Sequence, residues 1–326
     1  LFPYTTLFRS QFGYTKVRYR GLAKNTAQVL TLGATVQDLR MDGVDHSLVL
    51  GCPDPADYLG DGIYMGAIVG RFANRIGGAR FTLDGQEYRT DANFKERHTL
   101  HGGSRGTNWH LWQVEEARSD NAILSLALPD GDMGFPGAMT IRVRITLRDG
   151  GLVFDIEAQA DAPTPCNLAH HGYFNLDGGG DVRNHRLRVA ADRYLPVDDD
   201  LIPLPGTAPV QGTRFDFRQA REIVPGEYDH NFCLSDGPAA PRVVADLTGQ
   251  SGIRMQIETD QPGLQVYDGM HFGGLSGLDG RSYDRFAGVA LETQGWPDAP
   301  NRPDYPGAIL RPGQVYRHHA AYRFSR

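Results

Sequence analysis

Long stretches of this chain alternate hydrophobic with polar residues, a period of two that suits β-strands and not amphipathic helices. In residues 141–148 the odd positions are Ile, Val, Ile and Leu, whereas the even positions are Arg, Arg, Thr and Arg. A second alternating run, residues 152–159, follows the turn Asp-Gly-Gly at 149–151. Because a short Gly-containing loop joins two alternating runs, the sequence predicts a β-hairpin here.

Similar patterns recur along the chain and predict further strands. Forty glycines and twenty prolines supply turns and discourage long helices. Short helical turns are expected only near residues 55–58 and 218–221, and Asp84-Gly85 predicts a tight hairpin turn. The further predicted strands are residues 28–32, 80–83, 87–90, 122–128, 186–190, 253–258, 264–267 and 315–324.

We predict one all-β domain over residues 11–326. The chain has no low-complexity linker, no internal repeat and no abrupt change in composition, and all-β folds often exceed about 200 residues as one unit. Periodicity favours packed antiparallel sheets, but by itself it leaves a barrel and a sandwich both open.

The first ten residues are treated separately. Their sequence, Leu-Phe-Pro-Tyr-Thr-Thr-Leu-Phe-Arg-Ser, reads like a translated short-read sequencing adapter, and no initiator Met precedes it. We therefore expect residues 1–10 to be non-native and exclude them from reasoning about the fold. A native apolar strand at the N-terminus is the alternative.

Composition limits the classes of partner. The formal net charge is -6 and acidic and basic residues are mixed, so no basic cluster offers a face for nucleic acid. No apolar run approaches the roughly 20 residues that a membrane-spanning helix needs. We therefore predict no nucleic-acid partner and no membrane association. We also expect a monomer or a weak homodimer, although composition does not decide the oligomeric state.

Cysteine usage bears on the compartment. Cys52, Cys166 and Cys233 are few, odd in number and far apart, so they indicate neither a disulfide framework nor paired metal ligands. This usage is typical of a reducing compartment, and we expect a cytoplasmic protein. A periplasmic or secreted protein stays open, because residues 1–10 would then stand in place of the natural N-terminus.

No cofactor and no metal are predicted. The chain has no glycine-rich phosphate loop and no dinucleotide-binding fingerprint. Close histidine pairs occur at 98 and 101, at 170 and 171, and at 318 and 319, but none has a Cys or carboxylate at the spacing of a familiar zinc site. The pair at 318 and 319 is expected to straddle a surface strand.

One segment combines an apolar approach, a single carboxylate and a rigid turn. The run Ala-Leu-Glu-Thr-Gln, which contains Glu292, leads into Pro-Asp-Ala-Pro-Asn at residues 297–301. A turn interrupted by proline has little conformational freedom, so Glu292 would be held in place, as a catalytic base requires. A carboxylate at a solvated strand end is the alternative interpretation.

This segment and four others resemble, in the same order, the signatures of the aldose 1-epimerase (galactose mutarotase) family. The resemblance runs from about residue 12 to the C-terminus. The four further segments are GRFANRI at 70–76, TLHGG at 99–103, NLAHHGYFNL at 167–176, and YDHNF at 228–232 followed by QPGLQVY at 261–267.

The resemblance implies a large antiparallel β-sandwich of the galactose-mutarotase type. It also implies cofactor-independent interconversion of the α and β anomers of free aldoses, glucose- or galactose-like hexoses or pentoses. A hexose-6-phosphate 1-epimerase is one alternative, although it would need a basic phosphate pocket. A non-catalytic carbohydrate-binding protein on the same fold is another, and the presence of both Glu292 and His171 argues against it.

Mutarotation needs an acid and a base around one small centre. The base removes the proton of the anomeric hydroxyl while the acid protonates the ring oxygen, and both oxygens are bonded to one carbon. The resemblance assigns Glu292 as base and His171, whose residue type titrates near neutral pH, as acid. His170 replaces the usual Asn and points to the opposite strand face, and Gly172 replaces the usual Ser.

Five other residues are implied by the resemblance to bind the sugar. His101 would contact it near the reacting end. Asn74 and Arg75 would donate hydrogen bonds from an amide and a guanidinium to sugar hydroxyls. Asp229 would accept a hydrogen bond from a hydroxyl, and Gln265 would add another polar contact.

Overall fold

The computed structural model describes residues 6–9, 15–20, 25–148 and 150–326, with backbone only for 6–9, 15 and 17–20. Asp149 of the predicted hairpin turn lies outside this part of the chain, as do residues 1–5 and 10. Within it there are strands and short 3₁₀ helices but no α-helix, in agreement with the glycine and proline content. None of the described helices is long and apolar enough to cross a membrane.

Strands make up most of the regular secondary structure of the described chain, and every pairing between these strands is antiparallel. The eight predicted single strands are all confirmed, each within two residues of its predicted bounds. In chain order the strands are β1 (Thr6–Arg9), β2 (Thr15–Arg20), β3 (Thr26–Leu30), β4 (Val36–Arg40), β5 (Ile68–Val69), β6 (Arg75–Ile76), β7 (Arg80–Leu83), β8 (Gln86–Arg89), β9 (Thr99–Leu100), β10 (Gln113–Ala117), β11 (Asn121–Leu128), β12 (Met139–Arg148), β13 (Gly151–Ala160), β14 (Thr164–Pro165), β15 (Ala169–His170), β16 (Tyr173–Phe174), β17 (Arg186–Val189), β18 (Arg193–Tyr194), β19 (Ala208–Pro209), β20 (Arg221–Glu222), β21 (Asp229–Cys233), β22 (Arg242–Thr248), β23 (Arg254–Thr259), β24 (Gly263–Tyr267), β25 (Leu275–Ser276), β26 (Ser282–Tyr283), β27 (Val289–Gln294), β28 (Ile309–Leu310) and β29 (Tyr316–Ser325).

One of the two predicted helical turns is confirmed and the other is wrong. The first is a 3₁₀ helix at Pro55–Leu59. At residues 218–221 the side chain of Asp216 instead accepts hydrogen bonds from the backbone and guanidinium of Arg218, a local arrangement that competes with helix formation. The remaining 3₁₀ helices are Gly77–Ala79, Thr107–Trp109, Asp132–Gly134, Val182–Asn184, Leu278–Gly280 and Ala299–Asn301.

The predicted hairpin at residues 141–159 is confirmed as β12 and β13, paired from Met139 with Ala160 to Arg148 with Gly151. Its apolar positions are buried, whereas its polar positions are half-buried or exposed. The alternation in sequence therefore corresponds to the two faces of a sheet with one side in the core.

Two large sheets pack face to face. The first has nine strands in the order β10-β11-β12-β13-β29-β23-β22-β17-β20, and the second has six in the order β16-β27-β24-β21-β18-β19. They share one hydrophobic core, to which Val143 and Phe154 contribute from the first sheet and Phe232, Val266 and Leu291 from the second. This architecture is the predicted sandwich, and the assignment of residues 11–326 to one domain stays a prediction.

The other face of the six-stranded sheet is polar. Because side chains alternate along a strand, the neighbours of Leu291 and Val266 in sequence, Glu292 and Gln265, point away from the shared core. The two are Cα partners in the register between β27 and β24. The sandwich thus places a carboxylate and an amide side by side on its second face.

The strand β1 pairs with β2 at the edge of a four-stranded sheet ordered β1-β2-β3-β4. The assignment of residues 1–10 to an adapter stays a prediction, and we expect their removal to leave activity intact.

The strand β29 is not the surface strand that was predicted for residues 318 and 319. It lies between β13 and β23, with His318 in the core, where it bonds the Thr293 hydroxyl at 2.8 Å.

Candidate active site

The predicted site residues come from six parts of the fold and meet at one cleft of about 580 Å³ on the polar face of the six-stranded sheet. His171 directly follows β15, and His101 directly follows β9. The cleft is lined by Asn74, Arg75, His101, His171, Asp229 and Glu292, while Gln265 lies beneath it and contacts Asp229. All seven predicted residues are therefore brought together.

At the centre of the cleft, Nε2 of His171 lies 3.6 Å from Oε1 of Glu292. Both side chains are almost fully buried, with 5% and 2% of their surface exposed. At this separation the two groups do not form a good hydrogen bond with each other. Each is therefore available to an oxygen atom placed between them.

A hydrogen bond fixes the third group at this centre, the imidazole of His101. Its Nδ1 accepts from the backbone N–H of Asn74 at 3.1 Å, so a neutral His101 carries its proton on Nε2. The loop that holds it is tightly packed, because a Cβ on the next residue, Gly102, would lie 2.1 Å from the carbonyl oxygen of Gly70. His101 therefore presents an N–H donor to the cleft.

The same hydrogen bond bears on metal binding. Donor atoms of His101, His171 and Glu292 all lie within 4.8 Å of one another, a group that could in principle hold a metal ion. An imidazole binds a metal through a deprotonated nitrogen. A metal on Nε2 of His101 would have to displace that proton and break the bond from Asn74. The donor set is thus better suited to hydrogen-bonding a substrate.

A second polar group lies beside this centre. Oδ2 of Asp229 accepts from Nη2 of Arg75 at 3.0 Å, and Oδ1 accepts from the amide of Gln265. The backbone N–H of Arg75 donates to Oδ1 of Asn74 at 2.9 Å, so Asn74 helps to hold Arg75 in place. The carboxylate of Asp229 is therefore held in one orientation from two sides.

Burial sets the proton affinities at the centre. It lowers the pKa of His171 to about 4, and it lowers the pKa of His101 well below its ordinary value. Burial, followed by the charge of Asp229, raises the pKa of Glu292 well above that of an ordinary glutamate. The largest cause of all three shifts is the same, the cost of a charge away from water. They favour a state in which the pair of His171 and Glu292 holds a single proton near neutral pH.

The two adjacent histidines lie on opposite faces, as predicted. His170 packs in the core with its ring centroid 4.3 Å from that of Phe154. A Cβ on Gly172 would lie 2.4 Å from Cε1 of His170, so a serine at position 172 would collide with that ring. The two departures from the family pattern therefore accommodate each other.

Comparison with known proteins gives the same family. A profile described as aldose 1-epimerase matches residues 17–323. The chain belongs to the aldose 1-epimerase family. It is 41% identical to a galactose mutarotase of Rattus norvegicus over 311 residues, which cover 91% of this chain and 90% of that protein. It is 36% identical to an aldose 1-epimerase of Escherichia coli, over 93% of this chain and 94% of that one.

Solved structures show the same fold. An aldose epimerase homologue from C. elegans superposes with a TM-score of 0.90 at 29% identity, covering 96% of this chain and 99% of that chain. Galactose 1-epimerase from Lactobacillus acidophilus superposes with a TM-score of 0.87 at 26% identity, covering 99% of both chains. The predicted galactose-mutarotase type of sandwich is therefore confirmed.

Several residues of this epimerase cleft were not predicted. Tyr64 is the most central, since its ring centroid lies 4.6 Å from that of His101 and 6.0 Å from that of His171. It lies six residues before the GRFANRI segment, and no local pattern marks it as part of a site. The other lining residues come mainly from loops and are Asp61, Ile63, Phe94, Lys95, Leu100, Tyr173, Asp199, Leu201, Tyr267, Met270, His271 and Phe272.

Proposed function

We propose that this member of the aldose 1-epimerase family interconverts the α and β anomers of free aldoses, with Glu292 as base and His171 as acid. The family membership makes the protein an isomerase. The observation that supports the residue assignment is the 3.6 Å separation of Nε2 of His171 and Oε1 of Glu292 in a buried cleft.

The separation suits two oxygens on one carbon. In ring opening, the Glu292 carboxylate takes the proton of the anomeric hydroxyl, and the C1–O1 bond becomes a carbonyl. The bond from C1 to the ring oxygen breaks, and that oxygen takes the proton from Nε2 of His171. After rotation about the bond from C1 to C2, neutral His171 and protonated Glu292 exchange roles and the ring closes on the other face.

Burial suits this cycle, because opening converts a charged pair into a neutral one. Opening starts from the form with the proton on His171 and Glu292 ionised, which burial disfavours, and ends with His171 neutral and Glu292 protonated. The pair holds one proton in both states, so no proton need be exchanged with solvent. Charges in a poorly solvated cleft are costly, which favours transfer of the proton towards the sugar.

The surrounding groups would orient the sugar. The fixed carboxylate of Asp229 offers acceptors to hydroxyls, whereas Nε2 of His101 offers a donor close to the reacting carbon. Asn74 and Gln265 support this arrangement by bonding Arg75 and Asp229, respectively.

All of these groups belong to one chain, which is consistent with a monomer or a weak homodimer. The three cysteines are free and buried, as suits a cytoplasmic protein.

The alternative of a phosphorylated hexose is not favoured. Among the described residues lining the cleft, the Arg and Lys side chains are Arg75 and Lys95. Arg75 is bonded to Asp229, and Lys95 is bonded to Asp200 at 2.8 Å. A phosphate would have to compete with these carboxylates for both cations.

Polarimetry tests the proposal directly. Freshly dissolved α anomers of galactose, glucose and xylose should reach equilibrium faster with the protein than without it, and hexose 6-phosphates should not. Suppose instead that the optical rotation changes only at the spontaneous rate although calorimetry shows that the protein binds the sugar. The protein would then be a non-catalytic carbohydrate-binding protein.

A further inference from the structure

At the rim of the cleft, the carboxylate of Asp200 accepts hydrogen bonds from three basic side chains of another loop. Oδ1 of Asp200 accepts from Nζ of Lys95 at 2.8 Å. Oδ2 accepts from the guanidinium of Arg97 and from Nε2 of His98, the latter at 3.2 Å. Lys95 also donates to the carbonyl oxygen of Asp199 at 2.9 Å. Two loops on the rim of the cleft are thus fastened to each other.

The loop that supplies the basic residues is a strained turn. Phe94 and His98 exchange backbone hydrogen bonds of 2.9 Å, and the central residues Lys95 and Glu96 have φ angles of 50° and 53°. Positive φ at two successive positions normally selects Asn and Gly, because other side chains crowd the backbone there. A Lys-Glu turn of this kind needs support from outside the loop. The contacts to Asp200 provide three side-chain anchors, besides the bond from the backbone N–H of Gly78 to Nδ1 of His98 at 3.0 Å.

This turn also carries a wall of the sugar site. The Phe94 ring lies against the guanidinium of Arg75, with 4.7 Å from Cζ to the ring centroid. Arg75 in turn holds Asp229 at 3.0 Å. Phe94 and Leu201, which follows Asp200, both line the cleft, whereas Asp200 does not.

We propose that Asp200 is a positioning residue for sugar binding, which rests on the proposed function. By fastening residues 94–98 to residues 199–201, it holds Phe94 against Arg75 and so keeps Asp229 oriented towards the sugar. Because Asp200 does not line the cleft, it would touch neither the reacting atoms nor the sugar. Its loss should therefore weaken binding and leave the chemical step nearly unchanged.

Salt dependence separates this role from the catalytic one. Lys95 and Arg97 have 45% and 63% of their side chains exposed, so their attraction to Asp200 is screened by ions. Arg75 and Asp229 are only 7% and 12% exposed and should be much less affected. In the wild type, KM should rise severalfold between about 0.02 and 0.5 M NaCl, while kcat changes by less than about twofold.

The decisive variant is Asp200→Asn, which keeps the shape and removes the charge. Its KM should rise severalfold, stay the same at all salt concentrations and match the high-salt wild type, while kcat stays within twofold. Asp84→Asn is the matched control, because Asp84 also binds an arginine, Arg311, through bonds of 2.8 and 2.9 Å on an exposed turn. It should leave both constants and their salt dependence unchanged.

A rescue variant tests whether the turn is the link. Glu96 is exposed and does not line the cleft, and glycine accepts its positive φ without strain. Glu96→Gly should restore a near wild-type KM to the Asp200→Asn protein, and failure to do so would contradict positioning through the turn.

Other outcomes would also overturn the inference. An unchanged KM in Asp200→Asn, or a fall of kcat as large as the rise of KM, would contradict it. If the Asp200→Asn protein does not fold, the salt dependence of the wild type is the test. A wild-type KM that does not change with salt would contradict the inference. A wild type that does not mutarotate any aldose would instead refute the proposed function itself.

Discussion

Two histidine–carboxylate pairs in this protein have opposite electrostatics. In the cleft, His171 and Glu292 are buried 3.6 Å apart, and burial lowers the pKa of the imidazole and raises that of the carboxyl. On the outer face of the nine-stranded sheet, Nδ1 of His319 lies 2.7 Å from Oδ1 of Asp155. There the hydrogen bond raises the pKa of His319 and lowers that of Asp155.

Both pairs consist of an imidazole and a carboxylate, so their opposite pKa shifts arise from different access to water. Asp155 is 47% exposed, so water and a short hydrogen bond stabilise both charges of the outer pair. The inner pair has neither exposure to water nor a short hydrogen bond between its members. Oε2 of Glu292 and Nδ1 of His171 have no hydrogen-bond partner among the described residues. The environment of the outer pair therefore favours its ionised form, which stabilises the fold, whereas the inner pair can pass a proton to a substrate.

Removing the carboxylate should have its largest effect at the inner pair. Glu292→Gln keeps the shape but removes the proton acceptor, so kcat should fall by about 10²–10⁴-fold. The matched change in the outer pair is Asp155→Asn, since Oδ1 of Asp155 lies 2.7 Å from Nδ1 of His319. It should leave kcat within about twofold of wild type. Polarimetry with both variants measures the contrast, and equal effects would erase the distinction between the pairs.

The inner pair should also behave as a unit. His171→Asn removes the proton donor and should lower kcat by a similar factor of about 10²–10⁴. The double variant with Glu292→Gln should be little worse than either single one, because both groups serve one exchange of protons. A double variant whose loss equals the product of the single losses would show that the two residues act independently.

The polar group beside the inner pair should affect binding more than rate. Asp229→Asn leaves Arg75 buried without its carboxylate, at a cost of about 1–3 kcal/mol. If this cost falls on the sugar complex, KM for galactose should rise by roughly 5- to 150-fold. Steady-state kinetics separate the two constants. A loss confined to kcat would place Asp229 in the chemical step.

The outer pair should have the smallest effect, and only on stability. The hydrogen bond to Asp155 raises the pKa of His319, so protonated His319 stabilises the fold. This contribution is complete below pH 6.5, the ordinary pKa of histidine, and is lost as the pH rises through the raised pKa. The lowered pKa of Asp155 stabilises above 3.8 and is lost on acidification. His319→Gln should therefore lower the free energy of unfolding by up to about 1 kcal/mol near pH 5 and by less at alkaline pH. Urea titrations at both pH values test this.

The sequence predicted ten of the 29 described strands, among them the long strands β11, β12, β13 and β29. One-sided burial leaves a clear period of two in such strands, as in β12. The sequence placed Glu292 and His171 through motifs that surround them, and the structure brings both together. Tyr64 and Phe94 were missed because their proximity to the site arises from loop packing, which leaves no local pattern. The helical turn predicted at residues 218–221 was wrong because a side chain, Asp216, captured the backbone there. The shift of both inner pKa values could not be predicted either, since it depends on burial and not on residue order.

The dependence of kcat/KM on pH most directly tests the claim that burial makes His171 and Glu292 share one proton. The profile should be bell-shaped, with an acid limb near the lowered pKa of about 4 and a basic limb well above the ordinary range of a glutamate. Between the limbs the pair keeps its single proton and activity should be flat. A profile that rises through pH 6.5, the ordinary value of an exposed imidazole, would contradict this account.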